Sequence, residues 1–327
     1  MKTIHIVIAS MLACSVAFGL DLALDNQKKQ TGTSLPVAEW KLPPAFDESG
    51  VLDESKLPDS PYGDMVKYGY KLISQTHNYI GPNAKDESKR YAGNHLSCNS
   101  CHAQGGTKQY SAGFIGITAR FPQYNARGDK IVSLEDRING CMQRSMNGKT
   151  LPLNSPEMRA IVTYMHYLSV GVPVGANIKG QSLKKVELLD RPADLAKGKV
   201  VYETHCTVCH GENGEGMKNP EFASADYYIY PPLWGDDSYN TGAGMYRMIK
   251  AAQFIKQNMP QFNEILTDEE AFDVAAYINS KPRPIKDGRE NDFPNRKVKA
   301  IDMDVGPHDD KFSDEQHKYG PFKEMKY

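Results

Sequence analysis

Cys98-Asn99-Ser100-Cys101-His102 decides the reading of this chain, and Cys206-Thr207-Val208-Cys209-His210 repeats it. A Cys-x-x-Cys-His run is the attachment signature of c-type haem. Two thiols about one helical turn apart each reach a vinyl group on the same porphyrin edge. The adjoining histidine then turns its imidazole to the iron. A lone Cys-x-x-Cys equally suits half a zinc site or a redox dithiol. Two copies, each completed by histidine, in a chain that opens like an exported protein, select haem. Cys98, Cys101, Cys206 and Cys209 are then the attachment points, and His102 and His210 the axial ligands.

Export is read from the first residues. Lys2 precedes an apolar run, Ile4 to Leu20, with small residues near its end, which predicts a secretory leader over residues 1–19. The run is short of the ~20 apolar residues that span a bilayer. Met11-Leu12-Ala13-Cys14 is a poor lipoprotein site, and no other stretch is apolar enough for an integral membrane segment. The mature chain is therefore expected in the periplasm. Removing Cys14 with the leader leaves five cysteines, of which the haem motifs use four. Cys141 is left over, a candidate reactive thiol in a compartment where thiols usually pair. A net charge of -1 across 327 residues gives no footprint for nucleic acid or an anionic membrane surface. Any anion must be held by a few placed cations.

The rest of the chain divides around the two motifs. Residues 20–60, polar and proline-bearing, read as an extended arm over the first domain, not a folded unit. A helix is expected from about Asp64, with Met65, Val66, Tyr68, Gly69, Leu72 and Ile73 along one face. Another covers Leu134–Met146. A third follows Ser155-Pro156-Glu157, with serine as N-cap and proline in the first turn. The order then recurs: linker 172–192, a helix from Asp194 into Cys206, one over about Gly244–Asn258, and one opened by the capping box Thr267-Asp268-Glu269-Glu270. Both halves read helix, haem motif, loops, closing helix. The expectation is an all-α chain of two tandem cytochrome c domains, 61–171 and 193–282, with one covalent haem each. Gly69 and Gly198 are the small residues that let first and last helices approach, facing Tyr164 and Tyr277. The tail 283–327 is charged and expected to wrap the surface without activity.

The second axial position sets what each haem does. In the second domain Met259, in Asn258-Met259-Pro260, sits after a helix and before the capped one. Met245 and Met248 are rivals better suited to packing. The first domain has no Met-Pro and offers Cys141, Met142 and Met146. Spacing favours Cys141, whose thiolate would lower the potential of ferric iron. His77, His95, His166 and His205 are spare histidines better read as packed or surface residues.

Longer strings go further than the haem runs. Ala119-Arg120-Phe121-Pro122-Gln123-Tyr124, Leu134-Glu135-Asp136-Arg137-Ile138-Asn139-Gly140-Cys141, Arg144-Ser145-Met146-Asn147-Gly148, Pro231-Pro232-Leu233-Trp234-Gly235 and Asp237-Ser238-Tyr239-Asn240 resemble the dihaem c-type thiosulfate dehydrogenases, which are also tetrathionate reductases. The resemblance spans roughly residues 60–280. It implies a first haem ligated by His102 and Cys141, where thiosulfate and tetrathionate interconvert, and a second ligated by His210 and Met259 that relays electrons to a periplasmic cytochrome c or similar carrier. It also implies that Arg127, Arg137 and Ser145 line the substrate pocket, with Gln104 a weaker candidate. The chemistry agrees, because arginine grips sulfonate ends with paired N–H donors. Arg137, Cys141 and Ser145 would fall four apart on one helix face. Some relatives carry lysine before the second-haem methionine; here it is Asn258, so no lysine exchange is expected. Two rival readings are a purely electron-transferring dihaem cytochrome and a dihaem peroxidase.

Overall fold

The computed structural model describes residues 35–218 and 228–325, and the expected leader lies outside them. Two helical units follow each other along the chain, each with its own apolar core.

In the first unit, α1 (Pro61–Ser74) packs on α3 (Pro156–Tyr167), with α2 (Leu134–Arg144) alongside. Helix α1 begins three residues before Asp64, because the Ser60 hydroxyl accepts from Gly63 N–H and Pro61 fits the first turn. Helix α3 begins as its sequence predicts, capped by Ser155. Val66, Leu72 and Ile73 of α1 meet Met158, Ile161 and Tyr164 of α3 in a core completed by Met142 and Met146. Those two methionines, rivals for an axial position, are therefore core residues.

In the second unit, α4 (Leu195–His205) and α5 (Met248–Asn258) both pack on α6 (Asp268–Asn279). Asp194 caps α4 and the Thr267–Glu270 box caps α6. Tyr202, Phe272, Ala275 and Met248 fill the core, while Met245 packs on the core of the first unit. The close approaches occur where the two glycines stand. A Cβ on Gly69 would lie 2.1 Å from Ala160 O, and one on Gly198 would lie 1.9 Å from Asp273 O. Nothing larger than hydrogen fits either crossing.

The strands are short. β1 (Val37–Ala38) pairs in parallel with β4 (Asn177–Ile178), and β2 (Gln123–Asn125) pairs antiparallel with β3 (Lys130–Val132).

Two peripheral segments are more deeply involved than their composition suggests. The arm places Ala45, Phe46, Leu52 and Leu57 in the first core, and Trp40 packs against it. The tail sends Phe322 and Met325 into the second core, adds α7 (Asp314–Tyr319), and carries Asp292 and Phe293 back to the first unit.

Candidate haem centres and anion site

Each Cys-x-x-Cys-His run sits at the start of its unit's loop region, with its histidine aimed by a backbone carbonyl. His102 Nδ1 lies 2.5 Å from Ala112 O, and His210 Nδ1 lies 2.8 Å from Pro231 O. An Nδ1–H donated to a carbonyl fixes the tautomer and leaves Nε2 for a metal. Burial pushes the His210 imidazole towards its neutral, metal-binding form. Burial also pushes the thiols of Cys98, Cys101 and Cys206 up, to about 11, 12 and 12. A tyrosine locks the backbone just past each histidine: Tyr164 Oη donates to Gly105 O and Tyr202 Oη to Gly211 O, both at 2.7 Å. The residues at both motifs fit a c-type haem.

Cys141 differs from the other four cysteines. It lies on α2 with its Sγ 2.9 Å from Arg137 Nη1, one turn earlier, and within hydrogen-bond reach of the His102 imidazole. Burial alone would raise this thiol. The Arg137 charge, the His102 contact and the Arg137 hydrogen bond outweigh burial and hold it at about 6. The Arg137 charge thus favours the ionised form of Cys141, which faces the imidazole of the first haem motif. Arg137 engages the sulfur, not Glu135.

Arg127 approaches from the segment between β2 and β3. Its Nη1 donates to Gly242 O at 2.8 Å, and its guanidinium stands 6.0 Å from the Phe293 ring centroid. Burial pushes it down to about 10, with the charge of Arg144 acting in the same direction and Asp292 opposing. Arg247 and Arg137 add to the cationic field. Asp292 grips Arg144 with both oxygens, at 2.9 and 2.7 Å, and Asp302 pairs with Arg247. Four arginines against two carboxylates leave a surplus of positive charge beside a thiolate, an arrangement suited to small dianions.

Ser145 follows α2, four residues after Cys141, and its carbonyl accepts from Asn94 Nδ2 at 3.0 Å. Gln104 has left-handed backbone and lies against Gly50 of the arm. Three of the four spare histidines have side-chain partners: His77 with Ser97, His95 with Asp237, His166 with Tyr62. Met259 caps α5 and packs on the second core. Its neighbour Asn258 is buried and donates to Tyr110 O of the first unit at 3.2 Å. Asp292 lies outside every quoted string, and nothing in Arg144-Ser145-Met146-Asn147-Gly148 signals its partner. Their pairing spans 148 positions, and only the surplus of arginines near Cys141 hints at it.

Comparison with known proteins agrees with this architecture. The SoxA/TsdA cytochrome c domain matches residues 86–174, and the cytochrome c domain matches 195–282. The chain is 40% identical over 245 residues to a thiosulfate dehydrogenase of Psychrobacter arcticus, covering 74% of this chain and 71% of the relative. It is 39% identical over 234 residues to a thiosulfate dehydrogenase of Allochromatium vinosum, covering 70% and 82%. The solved thiosulfate dehydrogenase TsdBA from Marichromatium purpuratum, in its as-isolated form, superposes with a TM-score of 0.65 at 32% identity, covering 72% of this chain and 49% of that one. Two cytochrome c domains imply two c-type haems. With both motifs complete and the likeness running through both units, the chain belongs to the thiosulfate dehydrogenase family.

Proposed function

We propose that the protein couples two thiosulfate ions into tetrathionate, releasing two electrons, and runs the reverse reaction at the same site. The observation that carries this reading is the position of Cys141: its sulfur accepts a hydrogen bond from Arg137 Nη1 at 2.9 Å and faces His102, and the Arg137 charge favours its ionised form.

His102 with Cys141, and His210 with Met259, would hold the two haems, each of which would supply capacity for one electron. The chain's own residues supply the rest. The Cys141 thiolate joins the outer sulfur of one thiosulfate, giving a Cys–S–S–sulfonate and two electrons. A second thiosulfate attacks the sulfur next to Cys141, forming tetrathionate and returning the thiolate. Each step brings two anions together, first the thiolate and a thiosulfate dianion, then the sulfonate-bearing adduct and a second dianion, and Arg127 and Arg137 offset that repulsion with fixed positive charge. Ser145, one turn beyond Cys141, would donate its hydroxyl to a sulfonate oxygen. Asp292 positions Arg127 and Arg144 without touching substrate.

The two haem-bearing units correspond to 61–171 and 193–282, joined by 172–192. No helix among the described residues is long and apolar enough to cross a membrane. Together with the leader predicted over 1–19, this supports a periplasmic enzyme that exchanges electrons with a cytochrome c or similar carrier through the second haem.

The test is a Cys141→Ser variant carrying its full complement of haem. Dithionite-reduced native protein is expected to be reoxidised by tetrathionate and the variant to stay reduced. A variant that reoxidises at the native rate would make Cys141 irrelevant to the chemistry.

A further inference from the structure

Arg283 follows α6 and is 8% exposed. Its Nη2 donates to Ile278 O at 2.7 Å, but its Nε and Nη1 have no partner among the described residues. Among the described residues no carboxylate lies within ion-pair distance of it, whereas Arg144 pairs with Asp292, Arg247 with Asp302 and Arg289 with Asp304. A buried guanidinium without a counter-charge is costly, and buried N–H groups are nearly always satisfied.

Its surroundings indicate what it awaits. The guanidinium carbon stands over Tyr239, 4.3 Å from the ring centroid, and 5.5 Å from that of Tyr246. Tyr239 is buried in the core of the first unit, against which Cys98 of the first haem motif also packs. Its neighbour Ser238 donates to Pro232 O, one residue past the carbonyl that aims His210 of the second motif. Arg289 also stands by Tyr246, at 5.1 Å, and its Nε is likewise unpartnered. Open cationic donors therefore gather where the two haem-binding units meet.

We propose that Arg283 binds a haem propionate through Nε and Nη1, with Arg289 Nε as an additional donor. The haems bring carboxylates into this part of the fold, and a planar guanidinium offers paired donors in the geometry a carboxylate needs. The proposal rests on the two haems and not on the sulfur chemistry of Cys141.

The experiment compares native, Arg283→Gln and Arg283→Lys holoproteins, matched for haem content, by spectroelectrochemical titration and EPR. Removing a fixed cation beside a haem favours its more positive ferric state. One haem of Arg283→Gln is therefore expected to shift to lower potential while the other holds, and lysine restores part of the shift. The EPR signature of the haem that moves, thiolate- or methionine-ligated, tells which porphyrin supplies the propionate. Unchanged potentials at both haems in fully loaded Arg283→Gln would overturn the proposal. Should the glutamine variant not retain haem, resonance Raman decides between native protein and Arg283→Lys: altered propionate bending bands support the contact, and identical bands refute it. A failed Cys141 test leaves these readouts untouched.

Discussion

Replacing Arg137 with glutamine removes the donor that sits 2.9 Å from the Cys141 sulfur and leaves the α2 backbone intact. A hydrogen bond to a charged group contributes about 1.5–3 kcal/mol. Because Arg137 is exposed to solvent, the low end applies. At about 1.4 kcal/mol per pH unit, the proton affinity of the thiolate should rise by roughly one unit. The sign follows from the depressed native value of about 6: thiolate persists above that pH and is lost as pH falls through it. In Arg137→Gln the loss should therefore begin at higher pH. The assay is an acid titration of the oxidised holoprotein, following the EPR signal of thiolate-ligated haem. Bound iron lowers the transition in both proteins, but the difference between them remains. An acid limb in the same place as the native one would mean that Arg137 does not hold this sulfur ionised, and the electrostatic account of the site would fail.

Asp292→Asn leaves Arg127 and Arg144 without their shared counter-ion and should cost about 3–5 kcal/mol of stability. Differential scanning calorimetry checks this, and added thiosulfate should recover more of the loss in the variant than it adds to native protein. Gly198→Ala drives a methyl into Asp273 O and should destabilise the second unit by about 1–3 kcal/mol or more, read as a lowered thermal midpoint of its haem spectrum. Arg127→Ala should raise KM for thiosulfate more than it lowers kcat, since its charge serves to hold an anion; steady-state kinetics separate the two.

What the chain reveals unaided is what depends on near neighbours. The haem runs, the Ser155 and Thr267 caps, and the α2 register that aligns Arg137 with Cys141 all lie within a few residues or on one helix face, and the crossings at Gly69 and Gly198 follow from the repeated order of the two halves. Ala45, Phe46 and Leu52 belong to a core, yet prolines and turns break their spacing, so no periodicity betrays them. Asp292 and Arg283 escape for another reason. Each acts through partners remote in sequence or through a group the polypeptide does not contain, and neither leaves a pattern along the chain.

The return of Asp292 and Phe293 to the first unit bears on how preparations of this enzyme are judged. A fragment ending at residue 282 keeps both attachment motifs and could display the colour of a fully loaded cytochrome, yet it would lack the carboxylate that grips Arg144. Absorbance therefore certifies haem and not the anion pocket, whose last piece is among the later parts of the chain to leave the ribosome.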